Sequence, residues 1–256
     1  MYIGSVLDPA VPQPEPVQAA PPLSILPVQR LGAIVEVLLC SGFPSQLFLI
    51  AVLAGFGMPL RTAEGLLSPA FVFTLSLADA VIVVGLVFLF LNIHRESPRD
   101  VLVGTRRPGK EILLGLILLP FVFMLVVVIL ALVLTYAPQL HNVPRNPLED
   151  MLQNRQDALI FGVVVMIAGA LREEIQRGFI LHRFDQYLGG GAVGVVVFST
   201  LFGLGHIDQG IDAAIATGLL GAAWGTVYLM RRSIIAPMVS HAGFNLVQLV
   251  KYVALR

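Results

Sequence analysis

Residues 171–184 read LREEIQRGFILHRF and set Arg172, Glu173, Glu174, Arg177 and Arg183 into the most apolar half of the chain. A charged side chain at the centre of a membrane helix costs roughly 2.5–3.5 kcal/mol to insert. Such a cluster therefore stands outside the lipid, is mutually paired, or lines a wet cavity. The flanking sequence makes the question unavoidable. The 256 residues are 57% hydrophobic and only 12% charged, with a mean hydropathy of +0.86, well above that of an average soluble domain.

Seven apolar stretches run at about 31–57, 69–93, 111–136, 157–187, 191–206, 211–230 and 233–253. Several reach the roughly 20 residues a helix needs to cross the hydrocarbon, and the alternating ten-residue segments of a membrane barrel are missing. These features predict an all-α fold, a polytopic transmembrane helical bundle of about seven main helices, occupying residues 29–256. Ahead of it, residues 1–28 hold Pro9, Pro12, Pro14, Pro16, Pro21, Pro22 and Pro27 without a continuous apolar run. That composition predicts a disordered tail.

Sixteen basic and sixteen acidic residues cancel, which leaves no basic field to attract nucleic acid. The lipid bilayer is the partner that the composition does imply. One cysteine, Cys40, permits no internal disulfide and suits a small buried hydrophobe. Basic residues gather at 94–111 and again at Arg231 and Arg232. By the positive-inside rule both loops are cytoplasmic, and one crossing per stretch then puts the N-terminus in the cytoplasm.

The fourth stretch is too long for a simple span, since 30 helical residues measure about 45 Å. After it, the LGGG run at 188–191 offers a turn into the fifth. Glu173 and His206 lie at similar distances on either side of that turn, so antiparallel helices would bring them to one depth. Beyond them, His241 and Asn245 in SHAGFN are four apart and share a helix face, as do Glu173 and Arg177. Carboxylates, imidazoles and an amide together are the parts of a hydrolytic site. A partly dehydrated carboxylate can take a proton from water, imidazole and amide donors can stabilise an oxyanion, and Arg177 can hold a neighbouring carboxylate charged. Equally, Glu173, His206 and His241 are the donor types that zinc accepts, although no HExxH is present.

Other polar and small residues invite structural readings. Asp79 and Glu36 suit interhelical hydrogen bonds, with a proton path as the alternative. Asp208 and Gln209 suit capping or solvation after His206, and Trp224 with Tyr228 suits lipid packing or an interface belt. Gly218, Gly221, Ala222 and Gly225 suit close helix packing.

The ordered set Glu173–Glu174 with Arg177–Gly178, then FGLGH from Phe202 to His206, then His241 with Asn245, resembles the motifs of the CAAX prenyl protease and bacteriocin-processing (Abi) family, intramembrane endopeptidases akin to the Ras-converting enzyme. The resemblance covers about residues 157–250. It implies catalytic roles for Glu173, Glu174, His206, His241 and Asn245, support from Arg177, and a membrane-associated protein or peptide as substrate in a bacterial-type plasma membrane. It implies either a glutamate-type peptidase needing no cofactor or a zinc enzyme. One feature departs from the family: two residues, Ile175 and Gln176, separate the glutamates from Arg177, where three are usual. Either Arg177 acts from one position earlier, or Arg172 and Glu173 occupy the places of the glutamate pair. A proton-coupled transporter and a non-catalytic scaffold of the same fold are the other functions these residues allow.

Overall fold

Proline sets where many of the helices begin. The computed structural model describes residues 25–254, so the tail expected over residues 1–28 lies almost wholly outside them. Among the described residues there are ten α-helices and no extended strand. They are α1 (Pro27–Cys40), α2 (Phe43–Gly55), α3 (Pro69–Ile93), α4 (Pro108–Tyr136), α5 (Pro147–Asp150), α6 (Arg155–Met166), α7 (Glu173–Tyr187), α8 (Gly191–Leu204), α9 (Ile211–Arg231) and α10 (Ile235–Ala254). Five of them carry Pro in the first two positions, where its missing N–H would have no helical partner in any case. Asn154 caps α6 by accepting from the Asp157 amide at 2.9 Å, which satisfies one of the open donors at the helix start.

All seven apolar stretches appear as helix, with two modifications. The first breaks at Gly42, whose φ of +86° lies in the left-handed region, and α1 and α2 meet at 42°. A side chain at Gly42 would also strike the Arg172 guanidinium. The fourth stretch runs from α6 through a π-helical turn, Ile167–Arg172, directly into α7. Three helices, α3, α4 and α9, are long and apolar enough to cross a membrane, and the α1–α2 pair makes a fourth if it is one bent span. One crossing per stretch therefore asks more of the α6–α7 stretch, of α8 and of α10 than length and composition alone supply.

The charged helix α7 sits in the middle of this arrangement, against α1, α3, α8 and α9. Phe179, Ile180 and Leu181 pack with Leu91, Phe198 and Tyr228 in the largest apolar cluster. Its charges are shielded by protein and paired. Arg183 is fully buried and reaches Glu36 on α1 at 2.5 Å and Glu96, beyond α3, at 2.6 Å. His94 and His182 bond the same two carboxylates at 2.6 and 3.0 Å. Arg172 meets Asp79 of α3 at 2.5 Å, and Ser45 of α2 donates to the other Asp79 oxygen. Glu36 and Asp79 thus make the interhelical bonds expected of them. Gln176 donates to the Cys40 carbonyl at 2.6 Å, which satisfies a backbone acceptor that the end of α1 leaves open.

Small residues bring α8 and α9 together. An added Cβ on Gly203 would lie 2.6 Å from the Ala214 carbonyl oxygen and 3.1 Å from Gly218 Cα. Gly203→Ala is expected to destabilise the fold by about 1–3 kcal/mol, the usual cost of overpacking. Gly85→Ala, where nothing lies within 4 Å, should leave stability unchanged or raised; thermal unfolding of the two variants in detergent checks the contrast. A second expectation concerns Glu96. Burial pushes its carboxyl up, but hydrogen bonds from Gln186, His182 and Arg183 outweigh this and hold it below the ordinary value of 4.5. A carboxyl depressed in the folded state contributes stability above the unfolded value and loses it as pH falls through the folded one. Unfolding temperature should therefore fall below about pH 4.5, with a weaker fall in Glu96→Gln.

Candidate active site

The π-turn at 167–172 lies directly before the glutamate pair. A π-turn takes one more residue than an α-turn and is frequent at functional sites. It adds a residue just ahead of a motif that is one residue short between Glu174 and Arg177. Glu173 and Glu174 leave this turn in different directions. Glu173 lines a cavity of about 350 Å³, whereas Glu174 is almost wholly buried and pairs with Arg177, three residues on in the same helix. The face shared by Glu173 and Arg177 does not produce a pair; the partner of Arg177 is Glu174.

His241 reaches this centre from α10. Its Nδ1 lies 2.9 Å from Glu174 Oε1, a geometry in which Nδ1–H donates to the carboxylate. The other nitrogen, Nε2, lies 3.8 Å from Glu173 Oε2, longer than a hydrogen bond. Trp224 stacks on the imidazole with ring centroids 4.0 Å apart and an interplanar angle of 18°, and its Nε1–H donates to Ser240 at 3.3 Å. Arg177 is enclosed by aromatic faces, with its guanidinium carbon 4.9 Å from the Phe202 centroid and 5.6 Å from that of Trp224. These rings supply cation–π attraction where two guanidinium nitrogens, Nε and NH2, find no hydrogen-bond partner.

His206 lies two residues beyond the end of α8, and its Nδ1 lies 2.8 Å from the Phe202 carbonyl. That bond gives Nδ1 the proton and leaves a lone pair on Nε2 of the neutral ring. Asn245, one turn after His241 on α10, donates to the Gly169 carbonyl of the π-turn at 3.4 Å, which keeps its second N–H free. Glu173, His206, His241 and Asn245 all line the one cavity. The similar depth expected for Glu173 and His206 is met, since both also line a second, smaller cavity.

Glu173, His206 and His241, the donors that zinc would need, line one cavity. Each histidine engages Nδ1 and keeps Nε2 open, but among the described residues no three His, Cys, Asp or Glu side chains gather as a metal-binding group.

Several residues read as structural from the sequence find other surroundings. Trp224 and Tyr228 are buried, not lipid-facing: Trp224 backs His241, and the Tyr228 hydroxyl donates to the Val101 carbonyl at 3.0 Å. Gln209 lines the cavity and accepts from Asn146 at 3.2 Å, while Asp208 is exposed. Asp79 also joins the cavity wall, already paired with Arg172. Four-residue spacing from His241 marks Asn245, but only tertiary packing brings Trp224, seventeen positions earlier in the sequence, onto the histidine ring.

A buried ion pair thus lies beside a cavity of mixed lining within an all-helical integral membrane protein. Residues 155–247 match the family model for type II CAAX prenyl endopeptidase Rce1-like proteins, which supports the resemblance to CAAX-type intramembrane proteases. No curated protein and no solved structure matches the chain.

Trp224→Ala should cost about 3–5 kcal/mol, typical of truncating a buried aromatic residue, and Trp224→Phe much less, because a ring is kept against His241. Thermal unfolding in detergent distinguishes the two.

Proposed function

We propose that the protein is an intramembrane endopeptidase that hydrolyses a peptide bond of a membrane-associated protein or peptide, with Glu173 as the base that activates water. The observation that carries this reading is the convergence of Glu173, His206, His241 and Asn245 on one cavity. Of the two glutamates, Glu173 has the open carboxylate, while Glu174 is sealed between Arg177 and His241. In the proposed reaction Glu173 takes one proton as the water oxygen attacks the scissile carbonyl, and returns it to the leaving amine as the C–N bond breaks. Asn245 donates its free N–H to the oxyanion whatever the protonation of the histidines. Neutral His206, with its lone pair on Nε2, orients the attacking water; only as imidazolium would it donate from that nitrogen. Glu174 and Arg177 hold His241 in place, so they act through it and not on substrate.

The cytoplasmic assignment of the loops at 94–111 and 231–232 belongs to the same proposal. With α1–α2 taken as one bent span, two crossings precede the first loop and the N-terminal side is cytoplasmic. A bacterial-type plasma membrane suits this reading. A second reading is favoured by Asp79, which joins the cavity as a proton relay in a transporter would require. Against it, Asp79 already accepts from Arg172 and Ser45, and Glu36 lies in the separate Arg183 cluster.

Comparison of the N-terminal peptides of cells carrying wild type and Glu173→Gln is expected to reveal a cleavage product that vanishes in the variant. His206→Ala and Asn245→Ala should each slow its formation by about 10²–10³-fold. A cleavage pattern unaltered by Glu173→Gln would remove the proposal, and coupled proton uptake in its place would favour the transporter.

A further inference from the structure

The two basic loops meet at one end of the bundle. Arg231, which ends α9, bonds Glu111 in the first turn of α4 at 2.5 Å; Arg232 meets Asp185 near the end of α7 at 2.8 Å; and the Ile234 amide donates to the Leu102 carbonyl at 2.8 Å. Exposed Arg95, Arg99, Arg106, Arg107 and Lys110 stand at the same end. The cavity that holds Glu173 extends toward the opposite end. Asn146 and Glu149 on its wall follow α4, whose 29 residues lead away from the basic loop. Gln209 precedes the start of α9, and Gln248 lies about 20 Å along α10 from Ile235. Toward the basic end the interior is closed: Arg177, Phe179, Ile180, Leu181 and Arg183 of α7 and Tyr228 of α9 are all at 2% exposure or less.

We propose that the active-site cavity opens on the extracytoplasmic face of the membrane, and that its substrate is an exported polypeptide taken from the outer leaflet. The proposal rests on the hydrolytic reading above and names the side and the class of its substrate. Three observations support it. The first is charge. Against the five loop cations with Arg231 and Arg232, the cavity end carries Arg61, Arg145, Arg155 and Lys251 among the described residues, and the excess of Lys and Arg holds the closed end in the cytoplasm. Acids do not cancel the five, because Glu96, Glu111 and Asp185 are already engaged by Arg183, Arg231 and Arg232, which leaves Asp100 as the exposed acid of that loop. The second is closure. A chain on the cytoplasmic side, prenylated or not, is cut off from Glu173 by the packing of α7 around Phe179 and Leu181. The third is the lining of the open side. Gln248, Asn245 and His241 follow one another at three- and four-residue steps along one face of α10, and all three line the cavity. They form a polar track from the far end down to the catalytic centre, and the amides of Asn146 and Gln209 stand at its start. An extended peptide entering from outside can thus exchange its hydrogen bonds to water for bonds to these amides as it reaches the base.

The test labels single-cysteine variants of the full chain in intact cells with a membrane-impermeant maleimide. Gln153→Cys and Asp208→Cys sit at exposed positions of the cavity end, and Thr105→Cys at an exposed position of the basic loop; Cys40 is buried and adds little background. The first two are expected to label in intact cells, and Thr105→Cys only after the membrane is permeabilised. The reverse pattern, or equal labelling at both ends, would overturn the proposal. A second arm locates the chains whose cleavage stops in Glu173→Gln cells. Exported chains, with the lost cleavage site open to added protease on intact cells, are expected. If the affected chains are cytoplasmic, the proposal fails even where the labelling agrees. Outward labelling with no cleavage product lost would leave the orientation standing and sink the hydrolytic reading instead.

Discussion

Everything at the centre of this protein depends on placing Arg177 in full burial without leaving its charge uncompensated. An isolated charge in that position would cost far more than a fold of ordinary stability could tolerate. Glu174 neutralises it, His241 bonds the same carboxylate, and the rings of Phe198, Phe202 and Trp224 surround the guanidinium. Since these partners come from α7, α8, α9 and α10, one ion pair fixes four helices against each other. Removing either partner of such a pair typically costs 3–5 kcal/mol, and the histidine would lose its anchor at the same time.

The division of labour between the glutamates follows from this constraint. One carboxylate is consumed in holding the centre together, and so its neighbour is free to face the cavity. The π-turn supports the division, because its extra residue precedes the motif and the Asn245 side chain bonds its Gly169 carbonyl. The remaining charges are handled in the same manner. Arg172 and Arg183 each carry a buried pairing to an earlier helix, through Asp79 and through Glu36, and these pairings fasten the α1–α3 segment to the helix that bears the site.

Much of this was legible in the sequence. The hydropathy pattern gives the helices, the glycine run at 188–191 gives the turn, and the order of motifs gives the residues that meet. The break at Gly42 was passed over because apolar residues continue on both sides, although Gly42 and Pro44 are the residues that admit it; the nearness of Arg172 shows why position 42 carries no side chain. Trp224 and Tyr228 were misjudged for a related reason, since four-residue spacing identifies a shared helix face but not what that face meets. Which of Glu173 and Glu174 faces the cavity was unreadable, because the π-turn ahead of them shifts helical phase without leaving a mark in composition. Zinc was suggested by donor types alone, whereas among the described residues Glu173, His206 and His241 do not gather as a metal-binding group.

In the proposed reaction Glu173 activates water and does not itself attack the peptide. A single turnover in water enriched in oxygen-18, with mass analysis of the product and of the Glu173 peptide, distinguishes the two. One heavy oxygen is expected in the new carboxyl terminus and none in Glu173. A first product with ordinary oxygen, and the label on Glu173, would contradict it.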